Sequence, residues 1–318
     1  MRDAPARARR CAITIDIDPI DCYYRIHGLT APRWARDPIL LDGVPRFVEL
    51  LAARGAPATF FVVGETAATD FGRETLPRLC AAGHELGNHS LTHPYDLFRR
   101  PREAITDELR RAHDAIATAA GVAPVGFRAP GYGLSARLLA AVVGLNYRYD
   151  SSVLPSPPYY AAKAAIMGAM AITGRTSRAA LADPRLPCAP ARPYRPDLCA
   201  PWRRGDAPLV ELPITVLPGT RIPILGGALV TAPTALRRLL LWALCRLDLI
   251  VLNVHAIELV DAERDAMPRE LRERQPDLGV PLGHKRVALA RTLDAIAHAG
   301  FAFVTLAELA DEVAGIEA

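Results

Sequence analysis

Apolar and polar residues alternate within the β-branched run from Ala12 to Ile17. On an extended strand Ile13, Ile15 and Ile17 share one face, Thr14, Asp16 and Asp18 the other, and Pro19 ends the run. A loop over 20–38, with His27 and Trp34, leads into a helical rhythm. Its apolar residues stand at 40, 41, 44, 47, 48, 50 and 51, and Gly55 stops it. The two periods then take turns. Further strands are predicted at 59–64, just before His89, and at 125–128, 147–150, 209–216, 249–255 and 301–305. Helices are predicted at about 72–82, 101–120, 135–143, 233–246 and 282–299, with Pro101 suited to a first turn and Ser135 to an N-cap.

Strand followed by helix, repeated, implies parallel strands closed or nearly closed into a barrel. Residues 153–208 break the rhythm. They are rich in Pro, Ala and Arg, with one apolar helical stretch at 160–172, and read as an insertion after the fifth strand rather than a separate domain. The expectation is one domain over 1–318, its core at about 11–150 and 209–305. A chain of 318 residues is long for one domain but ordinary for a barrel.

Composition changes this picture little. Hydrophobic residues make up 51% and charged residues 23%, which describes a globular chain with a sizeable core, and a net charge of +4 does not point to nucleic acid. The six cysteines form no CxxC pair, so no zinc knuckle or redox motif is visible and free thiols are expected. The basic N-terminus, Met1 to Arg10, is followed by an apolar run of only 11–15 and then by acids, which is not a signal peptide. A cytoplasmic location is expected. No run is long enough to span a bilayer.

The candidate chemistry lies at strand ends. His89 and His93 stand four apart, which on one helical turn puts both imidazoles on one side, with Pro94 ending that turn. Alone, the pair also suits a plain polar loop. Asp16, Asp18, Arg128, Asp150 and His255 likewise fall at or just after predicted strand ends, where barrels gather their chemistry. One carboxylate and two imidazoles can hold a metal with positions open for water and substrate. A second carboxylate can act as general base, and a further histidine as general acid, which suits hydrolysis of an amide or ester. Glu258, three after His255, reads as a surface or loop acid, and His27, His84, His113, His284 and His298 as structural or surface residues.

Five stretches together resemble the polysaccharide deacetylases with the NodB-homology domain, carbohydrate esterase family four. They are Thr14-Ile15-Asp16-Ile17-Asp18, His89-Ser90-Leu91-Thr92-His93, Phe127-Arg128-Ala129-Pro130-Gly131-Tyr132, Tyr149-Asp150-Ser151-Ser152 and Asn253-Val254-His255, in the family's order. The resemblance implies a distorted (β/α) barrel with fewer than eight strands. It implies one divalent metal ion, zinc first among the candidates, held by Asp18, His89 and His93. It makes Asp16 the catalytic base, oriented by Arg128, and His255 the general acid, supported by Asp150. It gives the Gly131 backbone N–H a share of the oxyanion.

The chain departs from the family pattern in spacing its first two aspartates. It also has Gly131 directly after Pro130 where tyrosine is usual, Ser151 after Asp150 where an aromatic is common, and Asn253 where an apolar residue helps house an acyl methyl. The implied substrate is an N-acylated amino sugar, in a polysaccharide or linked to lipid. Alternatives are a deformylase or a hydrolase of cyclic imides or other C–N bonds, and, from another class, a carbohydrate-binding relic. Residues 159–173 and 235–246 are apolar with basic neighbours and suit peripheral contact with the inner face of a membrane. The alternative is that they bury their stripes against the barrel like any outer helix.

Overall fold

A computed structural model of the chain describes residues 8–32, 36–172, 174 and 177–317; Trp34, the start of the basic N-terminus and Thr173 lie outside them. Among the described residues eight strands appear in order: β1 (Arg10–Ile17), β2 (Thr59–Val62), β3 (Glu85–Asn88), β4 (Gly126–Phe127), β5 (Tyr149–Asp150), β6 (Val210–Glu211), β7 (Leu249–His255) and β8 (Ala302–Val304). Seven form one path, β6-β5-β4-β3-β2-β1-β7, and every pairing is parallel. β7 pairs along Arg10–Asp16 of β1, so β2 and β8 share the other edge of β1, β8 taking Arg10–Ala12 and β2 Thr14–Ile17. The barrel therefore has seven staves, as expected of a distorted barrel with fewer than eight. Its two ends meet after β6, where Thr215 N–H donates to Val251 O (3.1 Å) and Val251 N–H donates to Thr215 Oγ1 (2.7 Å).

The alternation in β1 sorts its faces as the pattern predicts. Ile13, Ile15 and Ile17 point outward into an apolar layer with Phe47, Phe60 and Val254 under the helices. Burying each such side chain contributes about 1.5–3 kcal/mol. Thr14 and Asp16 point into the barrel and are buried. Its interior also holds Ala12, Phe61, Tyr149 and Val251, and a helix at Leu306–Glu317 sends Leu306, Leu309 and Ala310 against them. That helix starts on the first residues of β2 and β3, its Leu306 and Ala307 N–H groups donating to Thr59 Oγ1 and Glu85 Oε2. It closes the N-terminal end of the barrel and leaves the C-terminal end for chemistry. Room for the interior rings comes from glycine: a Cβ at Gly126 would lie 1.8 Å from the Tyr149 ring.

Several expectations are corrected. The region 20–38 is not all loop, because Ile20–Ile26 is a helix that buries Ile20, Cys22, Tyr23 and Tyr24, with its Ile20 N–H donating to Asp37 Oδ2. Gly64–Ala67, Gly226–Thr231, Arg269–Arg272 and Leu306–Glu317 are further helices outside the expected ones; the second opens on two glycines, a loop signal. The stretch at 160–172 is helical from Pro157 to Ile172. Val153, Ala180, Leu186 and Tyr194 from the 153–208 segment are buried in one cluster with Phe98, Phe127 and Leu138. All six cysteines are free.

Candidate active site

Asp18, His89 and His93 converge just beyond the C-terminal ends of β1 and β3. Asp18 Oδ1 lies 3.3 Å from both His89 Nε2 and His93 Nε2. All three side chains are buried. The two histidines do not share a helical turn. Ser90 (φ 66°) and His93 (φ 54°) both take left-handed backbone, so the chain doubles back and brings the rings to 4.9 Å between centroids. That costly geometry is held from several sides. Ser90 N–H donates to Asn88 Oδ1 (2.8 Å), His93 N–H to Ser90 Oγ (3.1 Å), and the Thr92 N–H and hydroxyl both to Glu108 Oε1. Pro94 follows, where a helical His93 would clash with its ring.

The donor set fits a divalent cation. Asp18 Oδ1 is buried and accepts no hydrogen bond, although two imidazole nitrogens point at it. His89 Nδ1 donates to the Arg128 carbonyl (2.7 Å), which turns its Nε2 toward Asp18. Burial pushes His93 down to about 4 against the pull of Asp18, so its imidazole is neutral near pH 7. Burial alone would raise the Asp18 carboxyl, but His93, His89 and His255 hold it well below the usual carboxylate range. A carboxylate and two imidazoles within reach of one point are donors that zinc and similar ions accept.

Asp16 stands two residues back on the same face of β1. Its Oδ1 accepts from Arg128 Nη1 (2.8 Å) and its Oδ2 from Asn253 Nδ2 (3.1 Å). Burial would raise its pKa, but Arg128, His89 and His255 keep it below the ordinary value. Arg128 is itself fixed, with Nη1 also on Thr14 Oγ1, Nε on the Ser151 carbonyl and Nη2 on Ser151 Oγ; its guanidinium lies 4.2 Å over the Phe61 ring. Ser151, where an aromatic is usual, thus serves as an arginine clamp.

His255 ends β7 opposite Asp16 in the register. Its Nε2 lies 3.6 Å from Asp16 Oδ2 and 4.0 Å from Asp18 Oδ2, and its side chain is 26% exposed. Its Nδ1 lies 3.8 Å from Glu258 Oε1. Burial lowers its pKa, but Glu258, Asp16 and Asp18 together lift it to about 9. Glu258 is therefore no surface acid: it is buried in the short helical turn Ala256–Leu259, against Gly226, where a Cβ would meet its Oε2 at 1.8 Å. The sequence signal for it was its place one turn after His255. Asp150, expected to support His255, has other partners. It sits in register with Glu211, accepts from Ser152 Oγ (2.5 Å), and is raised by burial to about 6.

Gly131 lies in the turn Pro130–Tyr132 with φ 64°, and its carbonyl accepts from Lys163 Nζ (3.1 Å). Tyr132 donates its hydroxyl to Asn253 Oδ1 (2.6 Å). Asn253, which replaces an apolar residue, thus ties Asp16 to Tyr132. The result is a buried, partly open cluster with a cation-binding triad, a charged carboxylate aimed at it, and an imidazolium at its rim. Such a set can activate water and protonate a leaving group.

Comparison with known proteins agrees. Residues 6–149 match the polysaccharide deacetylase family model. A chitooligosaccharide deacetylase of Bradyrhizobium sp. (strain ANU 289) is 41% identical over 91 residues, which are 28% of this chain and 40% of that protein. A chitin deacetylase of Pestalotiopsis sp is 29% identical over 113 residues, 35% of this chain and 38% of that protein. The chain thus spans about two fifths of the length of these curated relatives. Among solved structures, a Mycobacterium smegmatis protein described as a polysaccharide deacetylase superposes with a TM-score of 0.59 at 20% identity, covering 99% of this chain and 93% of that one. At that identity the likeness is one of fold.

Proposed function

Residues 6–149 belong to the polysaccharide deacetylase family, and from that premise we propose that the protein is a metal-dependent hydrolase that removes the acyl group from an amino-sugar nitrogen. The observation that carries this reading is the convergence of Asp18, His89 and His93 at 3.3 Å beside the Asp16–Arg128 pair and His255. The triad would hold one divalent ion, zinc first. When bound there, such an ion polarises an acyl carbonyl and acidifies a water molecule. Asp16, kept charged and aimed by Arg128 and Asn253, takes the proton of the attacking water. His255, charged near neutral pH, gives a proton to the departing nitrogen. The Gly131 N–H is assigned to the oxyanion. Glu258 orients His255, while Asp150 lies on the Arg128 side of the barrel and acts through it. The whole chain is read as one catalytic unit, with 153–208 as an insertion.

The names of the relatives support an amino-sugar chain as the substrate class. The test is acetate release from chitooligosaccharides by metal-loaded protein, with release lost in Asp16→Asn. No release from any N-acetyl sugar by folded, metal-loaded protein would sink the deacetylase reading. Asn253 favours a second reading. Its buried amide stands where an apolar wall would receive an acetyl methyl, so an N-formyl group or a cyclic imide belongs in the same panel.

A further inference from the structure

A helix between a core and water shows an apolar stripe on one side and polar residues on the other. Two helices here expose large apolar residues on the outer side as well. In Thr234–Leu244, Leu240, Leu241 and Leu244 face the core. On the other side Leu236, Leu239 and Trp242 are 47%, 58% and 57% exposed, at the three-residue spacing of one stripe. Arg238 stands exposed on the same helix, and the Arg246 guanidinium lies 3.6 Å over the Trp242 ring. The helix Pro157–Ile172 buries no residue, and its Ile166 and Ile172 are 62% and 89% exposed. Its one charge, Lys163, is occupied by the Gly131 carbonyl.

Charge says what could cover these faces. Residues 151–182 and 212–247, which contain the two helices, hold no Asp or Glu, but include Arg178, Arg221, Arg237, Arg238 and Arg246. A second copy docked by a two-fold axis would set these arginines against their own images. An anionic lipid surface would neutralise them while leucine and tryptophan side chains enter the headgroup boundary. Neither helix is long and apolar enough to cross a bilayer, so each would lie in its plane. The two stretches meet, because Leu154, Ile214 and Val216 cluster with Tyr132, Tyr159 and Leu225. Tyr132 and Lys163 also carry that contact to the rim of the candidate site.

We propose that these two helices form a docking surface for an anionic bilayer. The inference does not depend on the reaction, and none of the side chains it uses is assigned to catalysis.

The test is sedimentation of the full chain with vesicles of phosphatidylcholine alone or mixed with phosphatidylglycerol. The expected result is binding to mixed vesicles at least about tenfold tighter than to neutral ones, weakened by salt. The Leu239→Ser/Trp242→Ser variant should lose about tenfold or more of that binding, and Ile166→Ser/Ile172→Ser a similar factor, with melting temperature unchanged because these side chains are exposed. Arg238→Glu/Arg246→Glu should erase the preference for anionic lipid. Failure to sediment with mixed vesicles at low salt overturns the proposal. So does binding that all three variants retain. A dimer in solution that Leu239→Ser/Trp242→Ser dissociates, without vesicle binding, would make a second copy the partner. Because binding is read without turnover, none of these outcomes can be confused with failure of the hydrolase reading.

Discussion

Asp16 and Asp18 leave the end of β1 among Arg128, His89, His93 and His255, whereas Asp150 and Glu211, paired in register on β5 and β6, face chiefly each other. All four carboxyls are buried. The first two are held below their ordinary pKa by the guanidinium and imidazoles around them. The second two are raised: burial lifts Asp150 to about 6 despite Glu211, Ser152 and Arg128, and burial and Asp150 lift Glu211 well above its usual value. Asp150 Oδ2 and Glu211 Oε2 have no hydrogen-bond partner, which suits a pair that shares a proton. Burial alone therefore does not decide the charge of a carboxyl in this barrel; the neighbouring imidazoles and guanidinium do. One pair is poised to meet a cation, and the other serves as a proton-sharing clamp where the 153–208 segment leaves and rejoins the sheet.

That contrast can be broken at several points. The largest effect is expected from Asp18→Asn, which removes the only anionic donor of the triad. Metal affinity should fall by more than about a hundredfold, beyond what loss of an outer partner costs, as read by elemental analysis after dialysis. Asp16→Asn should keep the metal and lose roughly two to four orders of magnitude in kcat. If that variant instead loses the metal, the two aspartates have been given each other's roles. Glu258→Gln should lower kcat on the order of tenfold with KM and metal content unchanged, the scale of losing an orienting partner. A near-normal kcat would remove Glu258 from the account.

The smallest effect concerns the second pair. Asp150 keeps its proton in the folded state above the pH at which the unfolded chain releases it. Its contribution to stability is therefore full below about pH 4 and is lost as pH rises through about 6. Urea unfolding of the native chain should show that decline, on the order of 1–3 kcal/mol, and Glu211→Gln should flatten the pH dependence by removing the second raised carboxyl of the pair. An identical pH slope in both proteins would show that the two acids do not share a proton.

The strand pattern made most of this legible. Period-two alternation placed Asp16 and Asp18 on the inner face of β1, and the strand ends gathered His89, Arg128 and His255 at one mouth. What the pattern could not carry was direction after a strand ends. The step from His89 to His93 uses two left-handed residues that no periodicity announces. Glu258 turns inward because Gly226, distant in sequence, leaves room for it. Glu211 meets Asp150 because the sheet passes from β5 to β6 across the whole 153–208 segment, a pairing invisible to any local reading.

The central claim is that Asp18, and not Asp16, holds a metal ion with His89 and His93. Calorimetric zinc titration of chelator-treated protein tests it most directly. The account predicts a single tight site in the native chain and in Asp16→Asn, and none in Asp18→Asn or His89→Ala. A tight site surviving in Asp18→Asn, or vanishing in Asp16→Asn, would contradict it.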